Sequence, residues 1–189
     1  MLLDRPIAHL GFAVPDIEAA AERWVKSVGA GPFCRVGGSP LRLRDVIHAG
    51  QPATWSHTTA TGQWGDLLLE LFESHSAEPD SLAAGMGVGE YGLHHVGWFA
   101  GDVAAESSRL EELGAPLIVA AGVNEQDFVF HDARHLIGAR VEVYEELPRV
   151  GEHYRLVRAA AAGWDGEGDV LMPLGAFRER FEHLVPSST

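Results

Sequence analysis

Apolar and polar positions fall along this chain in two similar series. After Asp16, apolar residues sit at Ile17, Ala21, Trp24, Val25 and Val28. This i, i+4, i+7, i+8, i+11 stripe predicts an amphipathic helix. Gly29 is placed to stop it. After Asp102 the stripe is Val103, Leu110 and Leu113, with Glu106, Arg109, Glu111 and Glu112 around it and Gly114 as the stop. Each Asp is positioned to N-cap its helix, its carboxylate accepting from backbone N–H groups that lack a partner within the helix. Strand-like segments follow each helix, at 32–36, 54–59 and 67–73, and again at 116–121, 128–131 and 140–145.

The two series are copies. His9-Leu10-Gly11-Phe12-Ala13-Val14-Pro15-Asp16 matches His95-Val96-Gly97-Trp98-Phe99-Ala100-Gly101-Asp102, with an offset of 86 for the His, the Gly, the aromatic and the Asp. The last strands also match, Leu69-Glu70-Leu71-Phe72-Glu73 against Val141-Glu142-Val143-Tyr144-Glu145, at an offset of 72. The difference of 14 (86 minus 72) predicts an insertion in the first half. Its place is 37–51, rich in Gly, Pro and Arg and without a clean period. The expected fold class is therefore α+β, with β-α-β-β-β modules at 5–73 and 93–147. A mostly looped linker at 74–92 joins them. Gly85-Met86-Gly87-Val88-Gly89 reads as part of it, since no buried strand leads in and no clear helix follows. A partly helical extension, 148–189, is expected to carry a helix over 153–162, a break at Gly163-Trp164-Asp165-Gly166 and a short helix over 174–183. It should pack on the sheets or on a partner subunit.

Composition narrows the function. Length 189, with 46% hydrophobic and 22% charged residues, suits one domain or two very small ones rather than a disordered chain. No apolar run reaches bilayer length, and no basic region precedes a long apolar stretch near residue 1, so neither a membrane span nor a secretory signal is expected. A formal charge of −13 disfavours nucleic acid and anionic membrane as partners. Cys34 is the only cysteine, which excludes an intrachain disulfide and a Cys-based zinc site and suits a reducing, cytoplasmic setting.

The duplication singles out four residues. His9 and His95 lie on the first strand of each half, and Glu70 and Glu142 on the last. Strand alternation puts Glu70 on one face with Leu68 and Phe72, opposite Leu67, Leu69 and Leu71. A carboxylate on such a face is costly without a partner, and Glu142 repeats the problem. Each residue alone could make an ordinary hydrogen bond. Four at matched positions favour one divalent ion, Zn, Ni, Co, Fe or Mn, held by a mixed N/O donor set.

These residues resemble the vicinal oxygen chelate superfamily, which includes glyoxalase I, methylmalonyl-CoA epimerase, extradiol dioxygenases and antibiotic resistance proteins. The resemblance covers about residues 5–147. It is carried by Ile7-Ala8-His9-Leu10-Gly11, Leu69-Glu70-Leu71, Gly92-Leu93-His94-His95-Val96-Gly97 and Gly138-Ala139-Arg140-Val141-Glu142. It implies a cup-shaped mixed sheet around one metal, with His9, Glu70, His95 and Glu142 as ligands. His94 should point to the other face of its strand, in a structural or supporting role. The His/Glu/His/Glu set is similar to the bacterial glyoxalase I pattern. Glu70 stands where the epimerases usually have Gln, and it is one carboxylate more than extradiol dioxygenases usually carry. Retained ligands argue for catalysis over drug sequestration.

The implied chemistry is proton transfer next to a carbonyl of a small molecule or thioester, as an isomerase, epimerase or lyase. Glu142, or else Glu70, is the expected base. The alternatives are an Fe(II) dioxygenase and a non-catalytic binding or resistance protein. A homodimer is the usual state for such a fold. Further candidates are His57 and His131 as cup lining or turn residues, and Arg42 and Arg44 as anion contacts or solvated loop. Trp55, Trp64 and Trp98 read as pocket or core. The loops at 37–51 and 74–92 are expected to set specificity.

Overall fold

A computed structural model of the chain describes residues 1–2 and 4–185, so residues 186–189 of the expected extension lie outside the described residues. The first half runs β1 (His9–Ala13), α1 (Ile17–Val28), β2 (Phe33–Val36), β3 (Leu43–His48), β4 (Gln51–Pro52), β5 (Thr54–Trp64) and β6 (Leu67–Glu78). A short helix, α2 (Asp80–Met86), leads into the second half. That half is β7 (Gly92–Ala100), α3 (Val103–Glu112), β8 (Leu117–Val123), β9 (Gln126–His131), α4 (Arg134–Ile137) and β10 (Arg140–Glu145). The extension is α5 (Pro148–Gly163), β11 (Leu171–Pro173), α6 (Leu174–Phe181) and a 3-10 turn at Glu182–Leu184. The aspartates cap as expected. Asp16 Oδ1 accepts from the Ala19 N–H at 2.8 Å, and Asp102 Oδ1 from the Ala105 N–H at 2.9 Å. Among the described residues, no helix is long and apolar enough to cross a membrane.

All strands join one curled sheet in the order β11-β2-β5-β6-β1-β7-β10-β9-β8-β3-β4. The halves mirror each other across the antiparallel β1–β7 seam, and each first strand lies parallel to the last strand of its own half, β1 to β6 and β7 to β10. One face is covered by α1 and α3. Ile17, Ala20 and Ala21 of α1 pack on Leu69 and Leu71, while Leu110 of α3 packs with Val96, Trp98, Val141 and Val143. Burying such side chains contributes about 1.5–3 kcal/mol each. The opposite face is concave. At one side it holds Trp55, Phe72, Phe128 and Phe130 under Leu82 and Met86 of α2. Leu68 lies on this concave side too, under the extension.

Three expectations change. Residues 37–51 are not irregular loop, because β3 crosses to the far edge of the other half and pairs antiparallel with β8, Leu43 opposite Val123 and Ile47 opposite Ala120. A register shift between Arg44 and Ile47 breaks the alternation that would have marked the strand. Residues 74–92 are not mostly loop, because β6 runs on to Glu78 and α2 follows. A helix of seven residues is too short to display a period. In the extension, α5 begins at Pro148 rather than 153, with the proline in its first turn. An added strand, β11, pairs parallel with β2. The extension packs on the first half, where Leu156, Val157, Ala160, Phe177 and Phe181 cover Cys34 and Leu68.

Candidate metal centre

The four residues selected by the duplication meet. His9, Glu70, His95 and Glu142 stand on β1, β6, β7 and β10, which are contiguous at the middle of the sheet. All four are buried, and one ligand atom from each lies within 4.8 Å of the others. His9 Nε2 is 3.2 Å from His95 Nε2 and 3.0 Å from Glu142 Oε2. His95 Nε2 is 3.2 Å from that same oxygen and 3.9 Å from Glu70 Oε1.

Two glycines make the meeting possible. Gly11 lies between Glu70 and His95 in the strand register, and Gly97 lies between Glu142 and His9. A Cβ at Gly11 would overlap the His95 ring, and one at Gly97 the His9 ring. Each imidazole therefore lies over the glycine of the other half. This explains why the repeated motif is His-x-Gly and not merely His.

The neighbours leave both Nε2 atoms facing inward. His9 Nδ1 is 3.1 Å from the Tyr154 hydroxyl, and His95 Nδ1 is 2.9 Å from His94 Nδ1. His94 was expected on the opposite face. Instead β7 carries a bulge there, since Gly11 pairs with His95 and Phe12 with Leu93. The extra residue turns His94 into the interior, where it stacks on Phe72 at 4.8 Å and its Nε2 meets the Met86 carbonyl at 2.7 Å. Burial pushes the His94 and His95 pKa values down, so both favour the neutral form. Burial also opposes ionisation of Glu142, but His95 and the hydrogen bonds from both imidazoles outweigh it and hold its pKa at about 2. Burial, together with Glu142, pushes Glu70 well above the usual carboxylate range, against a 3.4 Å hydrogen bond from the Tyr144 hydroxyl.

This donor set fits a divalent ion. Two ligands each about 2.1 Å from one ion lie roughly 3.0–4.2 Å apart for angles between 90° and 180°. Four of the separations, 3.0, 3.2, 3.2 and 3.9 Å, fall in that range, and the whole set lies within 4.8 Å. Glu142, held ionised beside a His95 that favours the neutral form, also carries buried negative charge that an ion would balance.

A family model described as the glyoxalase/bleomycin resistance protein/dioxygenase superfamily matches residues 8–130. The chain belongs to that superfamily. Among solved structures, it is similar to a hypothetical protein from Bacillus halodurans at 20% identity and TM-score 0.46, covering 75% of this chain and 94% of that one. It is also similar to methylmalonyl-CoA epimerase from Mycobacterium tuberculosis at 18% identity and TM-score 0.46, covering 77% and 91%. No curated protein matches it.

In this superfamily member, a cavity of about 250 Å³ opens above the cluster, with Glu70 and Glu142 at its buried end. His57 lies on its wall, stacked on Trp55 at 3.9 Å, and burial lowers its pKa to about 3. His131 is outside the cup. It bridges Ser107 Oγ at 2.9 Å and the Ala115 carbonyl at 2.8 Å beneath α3. Arg44 pairs with Asp127 at the sheet edge, and Arg42 is exposed and away from the cavity. Trp98 is core and donates to Glu106 Oε1 at 3.0 Å, Trp55 is core beside the cavity, and Trp64 is partly exposed against Trp24. Sequence reasoning passed over Tyr144 and Tyr154. Tyr144 follows Glu142 by two on one strand, so alternation could have found it. Tyr154 comes from α5, outside the repeat, where no internal copy points to it.

Proposed function

We propose that the protein is a metal-dependent enzyme that moves a proton next to a carbonyl of a small molecule or thioester, as an isomerase, epimerase or lyase. The convergence of His9, Glu70, His95 and Glu142, of which Glu70 and Glu142 line a cavity of about 250 Å³, carries this reading. A bound divalent ion, one of Zn, Ni, Co, Fe or Mn, would polarise the carbonyl and make the adjacent C–H acidic. The chain's own residues do the rest. His9 and His95 present their Nε2 atoms, and Tyr154 and His94 fix the ring orientations from behind. Phe128, Val150 and Leu174 give the cavity apolar wall.

Two carboxylates reach the cavity as bases. Glu142, the base favoured from sequence, has one oxygen against both imidazoles. Glu70 is less tethered, with Tyr144 at 3.4 Å as its hydrogen-bond donor. The geometry favours Glu70 as the proton carrier and Glu142 as the fixed ligand. The reading extends to a cytoplasmic homodimer. A lone buried Cys34 supports the first, and exposed Tyr91, Leu93, Leu136 and Ile137 near the starts of neighbouring β7 and β10 support the second.

Elemental analysis of the purified protein tests the metal, with about one ion per chain expected and the ion lost in His95→Ala and Glu142→Ala. Unchanged metal in both variants overturns the ligand set. Deuterium wash-in from D₂O across hydroxyketones, oxo acids and acyl thioesters tests the chemistry, and Glu70→Gln should abolish it. Iron with oxygen consumption would instead place the protein among the dioxygenases. Ligand binding without exchange would make it a binding protein.

A further inference from the structure

The cavity above the cluster is acidic at its base and basic at its mouth. Arg149 near the start of α5 and Arg178 on α6 both line it, and both come from the extension. Several other arginines are tied to carboxylates away from the cavity, Arg35 to Glu18, Arg109 to Glu106, Arg134 to Asp132 and Arg140 to Glu90. Arg149 reaches only the exposed Glu125, at 3.6 Å, and Arg178 forms no ion pair among the described residues. Between base and mouth, His57 Nδ1 is buried without a partner on the cavity wall. A guanidinium presents a planar fork of N–H donors that matches carboxylate or phosphate oxygens. At about 30 Å³ per water, the cavity has room for roughly eight waters, enough for a small acid or the acyl end of a larger one.

We propose that Arg149 and Arg178 form an oxyanion-binding rim, so that the substrate carries a carboxylate or phosphate at the end remote from its reacting carbonyl. This rests on the metal-dependent reading above, which places the carbonyl at the Glu70–Glu142 end. The substrate class is then an anionic carbonyl compound spanning the cavity, its unreactive end held by the extension.

Three metal chelators of one type test the rim by calorimetric titration of the purified protein. Acetohydroxamate has no second charge, succinate monohydroxamate adds a carboxylate, and phosphonoacetohydroxamate adds a phosphonate. At least one anionic probe should bind about 10-fold or more tighter than acetohydroxamate. The one that gains more identifies the oxyanion. In Arg149→Gln/Arg178→Gln the gap should shrink to about threefold or less, with acetohydroxamate affinity unchanged. Arg178 is exposed and Arg149 half-buried, so the double variant should keep the wild-type unfolding temperature. Equal affinity for all three probes overturns the rim and leaves the metal reading standing. A gap that survives the double variant also overturns it. If none of the probes binds and the protein carries no metal, the metal reading fails and takes the rim with it.

Discussion

Replacing Gly97 by Ala tests the centre at the point where the two halves interlock. The new Cβ would come within 3.0 Å of the His9 ring, a separation that real Cβ atoms essentially never show. Ordinary contact begins at 3.4 Å, so the ring must retreat by more than 0.4 Å (3.4 minus 3.0). It has no slack in which to do so. His9 Nδ1 is engaged by Tyr154 at 3.1 Å, and Nε2 lies 3.0 Å from Glu142 and 3.2 Å from His95. Metal sites tolerate ligand displacements of only about 0.2 Å. The substitution should therefore cost at least about 10-fold in metal affinity, by the scale of lesser perturbations around metal ligands. Without metal it should also cost about 1–3 kcal/mol in stability through overpacking.

Chelator competition followed by elemental analysis reads the affinity, and urea unfolding in EDTA reads the stability. Gly11→Ala should behave alike, because its Cβ meets the His95 ring. Gly101→Ala is the control, as a Cβ there meets nothing within 4 Å. It should leave metal binding untouched and stability unchanged or slightly raised. If Gly97→Ala and Gly101→Ala bound metal equally well, the interlocked geometry would be refuted.

Other perturbations probe separate parts of the molecule. Tyr154→Phe removes the hydroxyl behind His9 and should weaken metal binding about 10-fold, read by chelator competition, with little change in unfolding temperature. Glu106, on the buried face of α3, has its pKa lowered from 4.5 to about 2, chiefly by hydrogen bonds from Arg109. A folded pKa below the unfolded one gives stability that is present above about pH 4.5 and lost as pH falls toward 2. Glu106→Gln should thus cost about 3 kcal/mol at pH 7, in urea unfolding, with a gap to wild type that narrows below pH 4.5. A gap constant with pH would show that the ion pairs contribute nothing. Phe177→Ala cuts into the cluster that holds the extension on the sheet and should cost about 3–5 kcal/mol. Cys34, whose thiol burial pushes up to about 12, should then react faster with a disulfide reagent.

The duplicated parts of the fold were legible, and of the single-copy parts the two helices of the extension were, while the rest was not, for a physical reason. A repeat supplies its own comparison. His9 with His95, Glu70 with Glu142 and Asp16 with Asp102 each stood out because another position in the same chain answered to it. The structure brings the first four together and caps α1 and α3 with the last two. The His94 bulge escaped because one extra residue reverses a side chain without leaving any mark in the alternation of a short strand. The β3 crossing escaped because its register breaks, and α2 because it is too short for a period. Tyr154, Arg149 and Arg178 come from a segment with no internal copy, and only three-dimensional packing brings them to the cavity.

That division bears on function as well as legibility. The duplicated strands build a nearly symmetric ligand set, and symmetry about a point cannot distinguish one end of a substrate from the other. The chain breaks it with single-copy elements. Gly37 and Leu41 of the inserted segment line the cavity, while α5 and α6 bring Arg149, Tyr154 and Arg178. On the metal-dependent reading proposed above, the chemistry would thus reside in the repeat, and the direction in which a substrate enters would reside in what the repeat lacks. Exchanging the extension for that of a relative, with Tyr154 retained behind His9, should accordingly change which substrates undergo deuterium wash-in while leaving metal content at about one ion per chain. Loss of the metal on such an exchange would show instead that the extension supports the metal centre through more than the Tyr154 hydroxyl.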